Sequence, residues 1–102
     1  MKFKPEDLPL LDTYDWVDGE MVEVKKRPRA WLGNDDYGNR DWSPREDGNT
    51  LYVSGEEGDG FVDYYPDWSP DPYIHPVLKK WAEKRGYYWD WMNAGVIVLV
   101  EN

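Results

Sequence analysis

The shortage of aliphatic side chains is the feature that most constrains how this sequence can fold. Leu, Ile and Val together number eighteen among 102 residues, whereas the chain carries seven Trp, eight Tyr and two Phe. A domain of about 100 residues has to bury roughly 60–70% of the surface that its unfolded chain exposes. Aromatic rings must therefore form much of the core, and the length predicts one aromatic-rich domain spanning residues 1–102.

Alternation of apolar and polar residues predicts an antiparallel sheet built from hairpins. Asp18-Gly19 lies between two alternating segments, Thr13–Val17 and Glu20–Val24, which is a strong hairpin signal. The run Val96–Val100 is apolar on both faces, as is typical of a central strand covered on both sides. The other predicted strands are Leu51–Ser54 and Phe61–Tyr65, interpreted as a pair, and Tyr87–Met92.

The C-terminal third, residues 74–102, predicts a helix followed by a hairpin. Pro76 suits the first turn of a helix, and Gly86 suits its C-terminal cap. Apolar residues recur between these two positions at helical spacing. The predicted fold class is therefore α+β: an antiparallel sheet of about six strands built from hairpins, with one amphipathic helix near the C-terminus packed on it.

Two other segments predict no regular structure. Residues 1–12 hold two prolines and an apolar trio, which favours an extended N-terminal arm that docks on the domain. Residues 31–50 are dense in Gly, Asn, Asp, Ser and Pro, which predicts a long irregular loop. Loops of that length inside a compact domain often have a function.

Side chains for catalysis and for metal binding are scarce. The chain has no cysteine and one histidine, His75, and two of its three serines directly precede proline. A Ser–His–acid arrangement needs a mobile imidazole, whereas His75 lies at the predicted helix start, where capping or packing is commoner. Zinc and copper would lack ligands, and no phosphate-binding loop is present. We therefore expect no enzyme, no cofactor and no metal.

The sequence has no apolar stretch near the roughly 20 residues that cross a bilayer. Its N-terminus also lacks the apolar run of a secretory signal peptide. A cytoplasmic protein with no membrane contact is the resulting expectation.

The segment 46–78 carries eight carboxylates and not one Lys or Arg, within a chain of net charge −9. Such a surface repels phosphate backbones, which disfavours direct nucleic-acid binding, and it attracts a basic protein partner. Exposed Trp and Tyr beside the acids would supply the anchors of an interface. The predicted partner-binding residues are Glu46, Asp47, Glu56, Glu57, Asp59, Asp63, Tyr65, Asp67, Trp68 and Asp71.

These features predict a small acidic, non-enzymatic binding protein. It would act as an inhibitor that occupies a basic, nucleic-acid-binding surface of its partner by charge mimicry, with a nuclease as one candidate partner. In charge and size the chain is similar to small acidic inhibitors encoded by phages, which mimic DNA against nucleases or restriction systems.

Three other interpretations stay open. The acidic charge is also what keeps many small domains soluble. Trp31, Trp42 and Trp68 lie in predicted loops, where they could serve a carbohydrate-binding or carbohydrate-hydrolysing module. The chain could also be a small structural subunit of an assembly. The sequence leaves the oligomeric state undecided.

Overall fold

The computed structural model describes residues 3–36, 39–56 and 60–102. In these ranges the chain forms a short 3-10 helix at Pro5–Asp7, one α-helix and nine strands. The α-helix, α1, comprises Pro76–Glu83. The strands are β1 (Leu11–Val17), β2 (Glu20–Lys26), β3 (Ala30–Asp36), β4 (Asn39–Asp41), β5 (Thr50–Ser54), β6 (Val62–Asp63), β7 (Tyr73–Ile74), β8 (Tyr87–Asn93) and β9 (Val96–Glu101).

The described strands form one main sheet and two small ones. The main sheet has the order β4-β3-β5-β9-β8, and its pairs are antiparallel. The pairs β1–β2 and β6–β7 form separate two-stranded sheets. The α+β class is confirmed, but about six strands in one sheet was imprecise, because the strands divide among three sheets. β9 lies between β5 and β8 with Ile97, Val98 and Leu99 buried, so the predicted central strand is confirmed.

The β1–β2 hairpin has the predicted turn. Val17 pairs with Glu20, so Asp18 and Gly19 form a two-residue loop. Their φ angles are +50° and +79°, as the tight turn favoured by Asp-Gly requires. Before the hairpin, the predicted N-terminal arm includes the 3-10 helix, and it docks through Leu8, which is 2% exposed.

The predicted long irregular loop at residues 31–50 was wrong, because this segment contains regular strands. Most of β3 and all of β4 lie within it. The first half of β3 pairs with β5, and the second half pairs with β4. Hydrogen bonds to two neighbouring strands outweigh the turn preference of the Gly, Asn and Asp residues in β3, as tertiary context commonly does.

The predicted pairing of Leu51–Ser54 with Phe61–Tyr65 was wrong. β5 pairs with β3 and β9, whereas β6 pairs with β7. The physical reason is burial: three consecutive residues of β5, Leu51, Tyr52 and Val53, are buried, so both faces of this strand are covered. Such a strand is stabilised inside a sheet rather than in an isolated hairpin.

Helix α1 packs on one face of the main sheet and begins at Pro76 as predicted, but its C-cap is Lys84, two residues before the predicted cap Gly86. His75 is its N-cap, with Nδ1 accepting a hydrogen bond from the Val77 backbone N–H at 3.1 Å. Gly86 follows the helix with φ +78°. His75 therefore has the capping role that its position predicted, and its ring also contacts Phe61 edge-on.

The core beneath α1 is partly aromatic, as the composition required. Trp81 of α1 stacks with Trp89 of β8 at 6.2 Å between ring centroids. The Trp89 indole N–H donates to the Leu78 carbonyl at 3.0 Å. Leu78 and Ile97 complete the contact between helix and sheet, and both are fully buried.

Among the described residues, none of the helices has the length and apolar character that crossing a membrane demands.

Candidate protein-binding surface

The segment 63–73, here called the acidic loop, is closed at its base by the short sheet β6–β7. Val62 pairs with Ile74, and Asp63 pairs with Tyr73. The His75 backbone N–H also donates to the Phe61 carbonyl at 2.8 Å, which extends the closure by one step. The two ends of the loop are thereby fixed next to each other on the body of the domain.

Local hydrogen bonds shape the acidic loop. Asp63 Oδ1 accepts from the Tyr65 backbone N–H at 3.0 Å, and Ser69 Oγ accepts from the Asp71 N–H at 3.2 Å. Both are side-chain-to-backbone turns two residues apart, which Asp and Ser favour. The buried ring of Pro66 lies between these turns.

Aromatic rings hold the loop against the sheet. Tyr64 contacts Trp91 of β8 at 5.0 Å and Tyr65 at 4.7 Å, each edge-on, and Trp68 contacts Tyr73 at 4.9 Å. Tyr65 is nevertheless 76% exposed and Trp68 is 70% exposed. Exposed rings held by neighbouring rings are already ordered, so binding through them costs less side-chain entropy.

The acidic loop brings together five of the ten predicted partner-binding residues. Asp67 and Asp71 are exposed, and Asp63 is half-buried at the base of the loop. With Tyr65 and Trp68 they form a surface of three carboxylates and two rings within nine residues of chain.

The remaining predicted site residues lie elsewhere. Glu46 and Asp47 follow Arg45, whose backbone N–H donates to the Leu32 carbonyl of β3 at 2.8 Å. Asp47 also pairs with the Arg45 guanidinium at 3.4 Å. The acidic loop instead contacts β8, which is separated from β3 by β5 and β9 in the main sheet.

Glu56 lies beside the β8–β9 turn. Its carboxylate would be 2.6 Å from a Cβ placed on Gly95. Glu57 and Asp59 fall outside the described residues.

A second aromatic feature is a cleft that contains Trp31 and Trp42. Trp31 was predicted in a loop but lies on β3, where it stacks on Tyr52 at 6.3 Å. Its indole N–H donates to the Trp42 carbonyl. The cleft has a volume of about 290 Å³, and Glu56 and Arg29 also line it. Trp68, the third tryptophan of the carbohydrate interpretation, lies against Tyr73 on the acidic loop.

A polar cluster covers the other face of the main sheet. The hydrogen bond and charge of Asp90 raise the pKa of Arg40, and Asp35 adds to this effect at 3.4 Å. Burial raises the pKa of Tyr52 to about 12, while its hydroxyl donates to the Asn34 carbonyl at 2.8 Å. Arg40 and Tyr52 thus bind other groups of the same chain, and we interpret this cluster as stabilising the fold.

Hydrogen bonding also acts on an exposed carboxylate near this cluster. The Ser43 backbone N–H and hydroxyl donate to Asp41 and thereby lower the pKa of its carboxyl group.

Within residues 3–36, 39–56 and 60–102, the acids and His75 form no group of three or more that could hold a metal ion.

Sequence reasoning missed the exposed aromatic residues of the β1–β2 hairpin. Trp16 is 72% exposed and Tyr14 is 61% exposed, although both lie in a regular strand. The available signal was the apolar residues Val17 and Val22, which put apolar side chains on the opposite face of the same hairpin. Apolar residues on both faces of a short, acidic hairpin indicate either a central strand or an exposed arm.

Comparison of the chain with family models, with curated proteins and with solved structures gives no match. Its function is therefore inferred from its surfaces.

Proposed function

We propose that this chain is a non-enzymatic protein-binding domain that occupies a basic, nucleic-acid-binding surface of a partner protein. The observation that carries the proposal is the acidic loop, where Tyr65 and Trp68 are exposed among three aspartates. No Lys or Arg occurs in the sequence between residues 46 and 78, and among the described residues none of these three aspartates forms an ion pair. Exposed rings beside uncompensated carboxylates have the composition of an interface for a basic protein.

The loop supplies two kinds of interaction. Carboxylates of Asp63, Asp67 and Asp71 would take the positions of phosphates opposite Arg or Lys of the partner, because both groups accept charge-assisted hydrogen bonds. Tyr65 and Trp68 would be buried at the centre of the contact, where aromatic residues carry most binding energy. The net charge of −9 would speed association at low salt. Occupation of the surface would exclude nucleic acid, which makes the domain an inhibitor.

A capture experiment tests this proposal. The tagged protein is incubated with lysate, washed at low salt, and then eluted in parallel with duplex DNA, with a neutral polymer as the control, or with high salt. We expect a basic nucleic-acid-binding protein to be retained at low salt, released by DNA and lost at high salt. Retention that neither DNA nor salt reverses would contradict charge mimicry.

A charge-reversed pair provides the matched control for the position of the surface. D67K/D71K and E83K/E101K change the net charge by the same amount, and all four residues are exposed. We expect D67K/D71K to abolish capture and E83K/E101K to preserve it. Equal losses in the two variants would mean that overall charge, not the acidic loop, retains the partner.

The Trp31–Trp42 cleft supports a second candidate function, carbohydrate binding. One face of Trp31 is covered by Tyr52, and the cleft joins two indoles with the polar side chains of Arg29 and Glu56. Sugar rings stack on such indoles. Tryptophan fluorescence during titration with a panel of oligosaccharides tests this function. A quench lost in Trp42→Ala would support it, and an unchanged spectrum across the panel would remove it.

A further inference from the structure

The distal part of the β1–β2 hairpin, residues 14–23, here called the hairpin tip, projects from the body of the domain. Trp16, Tyr14 and Met21 are 72%, 61% and 58% exposed on one face, and Val22 is 39% exposed on the other. The tip therefore leaves apolar side chains uncovered on both faces.

The apolar residues of the tip form a compact patch. Trp16 pairs directly with Met21 across the two strands, so their side chains lie on the same face. Tyr14 lies on that face two residues away, opposite Glu23. Side chains at such cross-strand positions are close enough to contact one another. A ring, a thioether and a second ring thus present one continuous surface.

The hairpin tip is strongly acidic. Residues 12–24 hold five carboxylates and no Lys or Arg. Two of the five pair with lysines at the hairpin base, Asp12 with Lys25 at 3.9 Å and Asp15 with Lys26 at 2.9 Å. The three exposed carboxylates of the tip are Asp18, Glu20 and Glu23. An occupant of this surface must combine apolar contact with positive charge.

The same chain has a groove of that chemistry, here called the basic groove, with a volume of about 450 Å³. Its apolar lining includes Val77, which is 46% exposed, and Trp81, whose ring is covered by the Arg85 guanidinium at 4.5 Å. Its cations number three, matching the three carboxylates of the tip. The lining residues are Pro9, Val77, Lys80, Trp81, Lys84 and Arg85.

We propose that the hairpin tip of one copy docks in the basic groove of a second copy, and that the exchange is reciprocal. A tip cannot reach its own groove, because Pro9 lies at the base of the hairpin. Trp16 is five residues beyond Leu11 along β1, a distance of about 17 Å. Two copies placed antiparallel bring each tip to the other's groove, which gives a two-fold dimer in which the tip–groove contact is made twice.

The acidic net charge of the two copies does not prevent them from associating. Each copy has a net charge of −9, but repulsion between distant charges is largely screened beyond about 8 Å at physiological salt. Contacts between tip carboxylates and groove cations act at shorter range, in a partly dry interface. A contact between two tips would instead place like charges against one another. The basic groove is therefore the favoured docking site for the tip.

A charge-swap experiment tests this dimer. We expect E20K/E23K and K80E/K84E each to be monomeric in sedimentation velocity over a concentration series in which the wild-type protein dimerises. In both homodimers the tip and the groove would carry the same sign of charge. Mixed together, the two variants recover opposite signs at both contacts, so a one-to-one heterodimer should form.

An uncharged variant tests the apolar part of the contact. Trp16→Ala should raise the dimer dissociation constant by at least about tenfold, as truncating a central aromatic anchor commonly does. Trp68→Ala is the matched control, because Trp68 is 70% exposed on the acidic loop, outside this interface. It should change the constant by less than about twofold.

Three outcomes would overturn the proposal. These are a wild-type protein that stays monomeric throughout the series, a mixture of the charge variants that fails to form a heterodimer, and equal effects of Trp16→Ala and Trp68→Ala. Recovery of the heterodimer shows at once that both variants are folded. The oligomeric state is measured without any partner protein, so this result is independent of the capture experiment.

Discussion

The guanidinium of Arg40 on β4 donates to the carboxylate of Asp90 on β8 at 3.0 Å. These two strands are the first and the last in the order β4-β3-β5-β9-β8. The main sheet is therefore curled, so that β4 lies over the face opposite α1. Arg40 also pairs with Asp35 at 3.4 Å, and its side chain is only 25% exposed.

Removing this link should loosen the curl. We expect Arg40→Ala to lower the free energy of unfolding by about 1–3 kcal/mol, because it leaves two partly buried carboxylates without a cation. Urea denaturation measures the change. Arg45→Ala is the control, since Arg45 and its partner Asp47 are 51% and 82% exposed, and its cost should stay below about 0.5 kcal/mol. Equal costs would mean that Arg40 makes only a surface pair.

Close packing around β3 depends on two glycines whose backbones lie next to each other. A Cβ on Gly33 would lie 2.6 Å from the Asp41 carbonyl, and one on Gly48 would lie 2.5 Å from the Gly33 carbonyl. We expect Gly33→Ala and Gly48→Ala each to destabilise the fold by about 1–3 kcal/mol. A Cβ on Gly48 presses on the Gly33 backbone, whose own Cβ would press on Asp41 and Tyr52. Because the two changes share Gly33, the cost of the double variant in thermal unfolding should differ from the sum of the single costs. Strict additivity would contradict a shared packing site.

Tyr52 should make stability fall at high pH. Its pKa is raised to about 12 in the native state, whereas the unfolded chain ionises near its ordinary value of about 10. The stabilising contribution is complete below pH 10 and is lost as pH rises toward 12, by at most about 2–3 kcal/mol.

Tyr52→Phe removes this titrating group, so its unfolding free energy should depend less steeply on pH between 10 and 12 than that of the wild type. Chemical denaturation across this range measures both slopes. Parallel slopes would show that Tyr52 ionises equally in both states.

The indole of Trp89 should stabilise the core through its hydrogen bond as well as through the apolar surface that it buries. Its N–H donates to the Leu78 carbonyl at 3.0 Å in a buried position. We expect Trp89→Phe to cost about 1–3 kcal/mol, through the lost hydrogen bond and the smaller ring. Trp68→Phe at an exposed position should cost less than about 0.5 kcal/mol. Guanidinium denaturation followed by circular dichroism distinguishes the two.

Replacing Tyr65 and Trp68 should weaken partner binding without destabilising the fold. We expect the double variant Y65A/W68A to reduce capture of the basic partner at least about tenfold while its thermal unfolding temperature stays close to that of the wild type. Both side chains are mostly exposed, so their loss removes little core contact. A pull-down titration measures binding, and thermal denaturation measures stability. Parallel losses of binding and stability would show that the two rings act mainly by stabilising the fold.

Local signals in the sequence were sufficient to predict three elements. Asp18-Gly19 has the left-handed geometry that its turn requires, and this sets the β1–β2 register. Pro76 and Gly86 bracket α1, whose backbone hydrogen bonds join residues close in sequence. The run Val96–Val100 lies in a strand covered on both faces, because its apolar side chains leave no face for water. Each of these depends on residues within about a dozen positions.

Only the tertiary structure decided the partners of β5 and the strand character of β3. A strand such as Leu51–Ser54 pairs wherever both faces find cover, and its neighbours β3 and β9 come from distant parts of the chain. The same holds for the aromatic residues: composition required some of them in the core, but it did not say which. Trp81 is buried and Trp16 is exposed although both lie in regular elements. Packing between distant segments chooses among chemically equivalent rings, because burial is a property of the assembled fold.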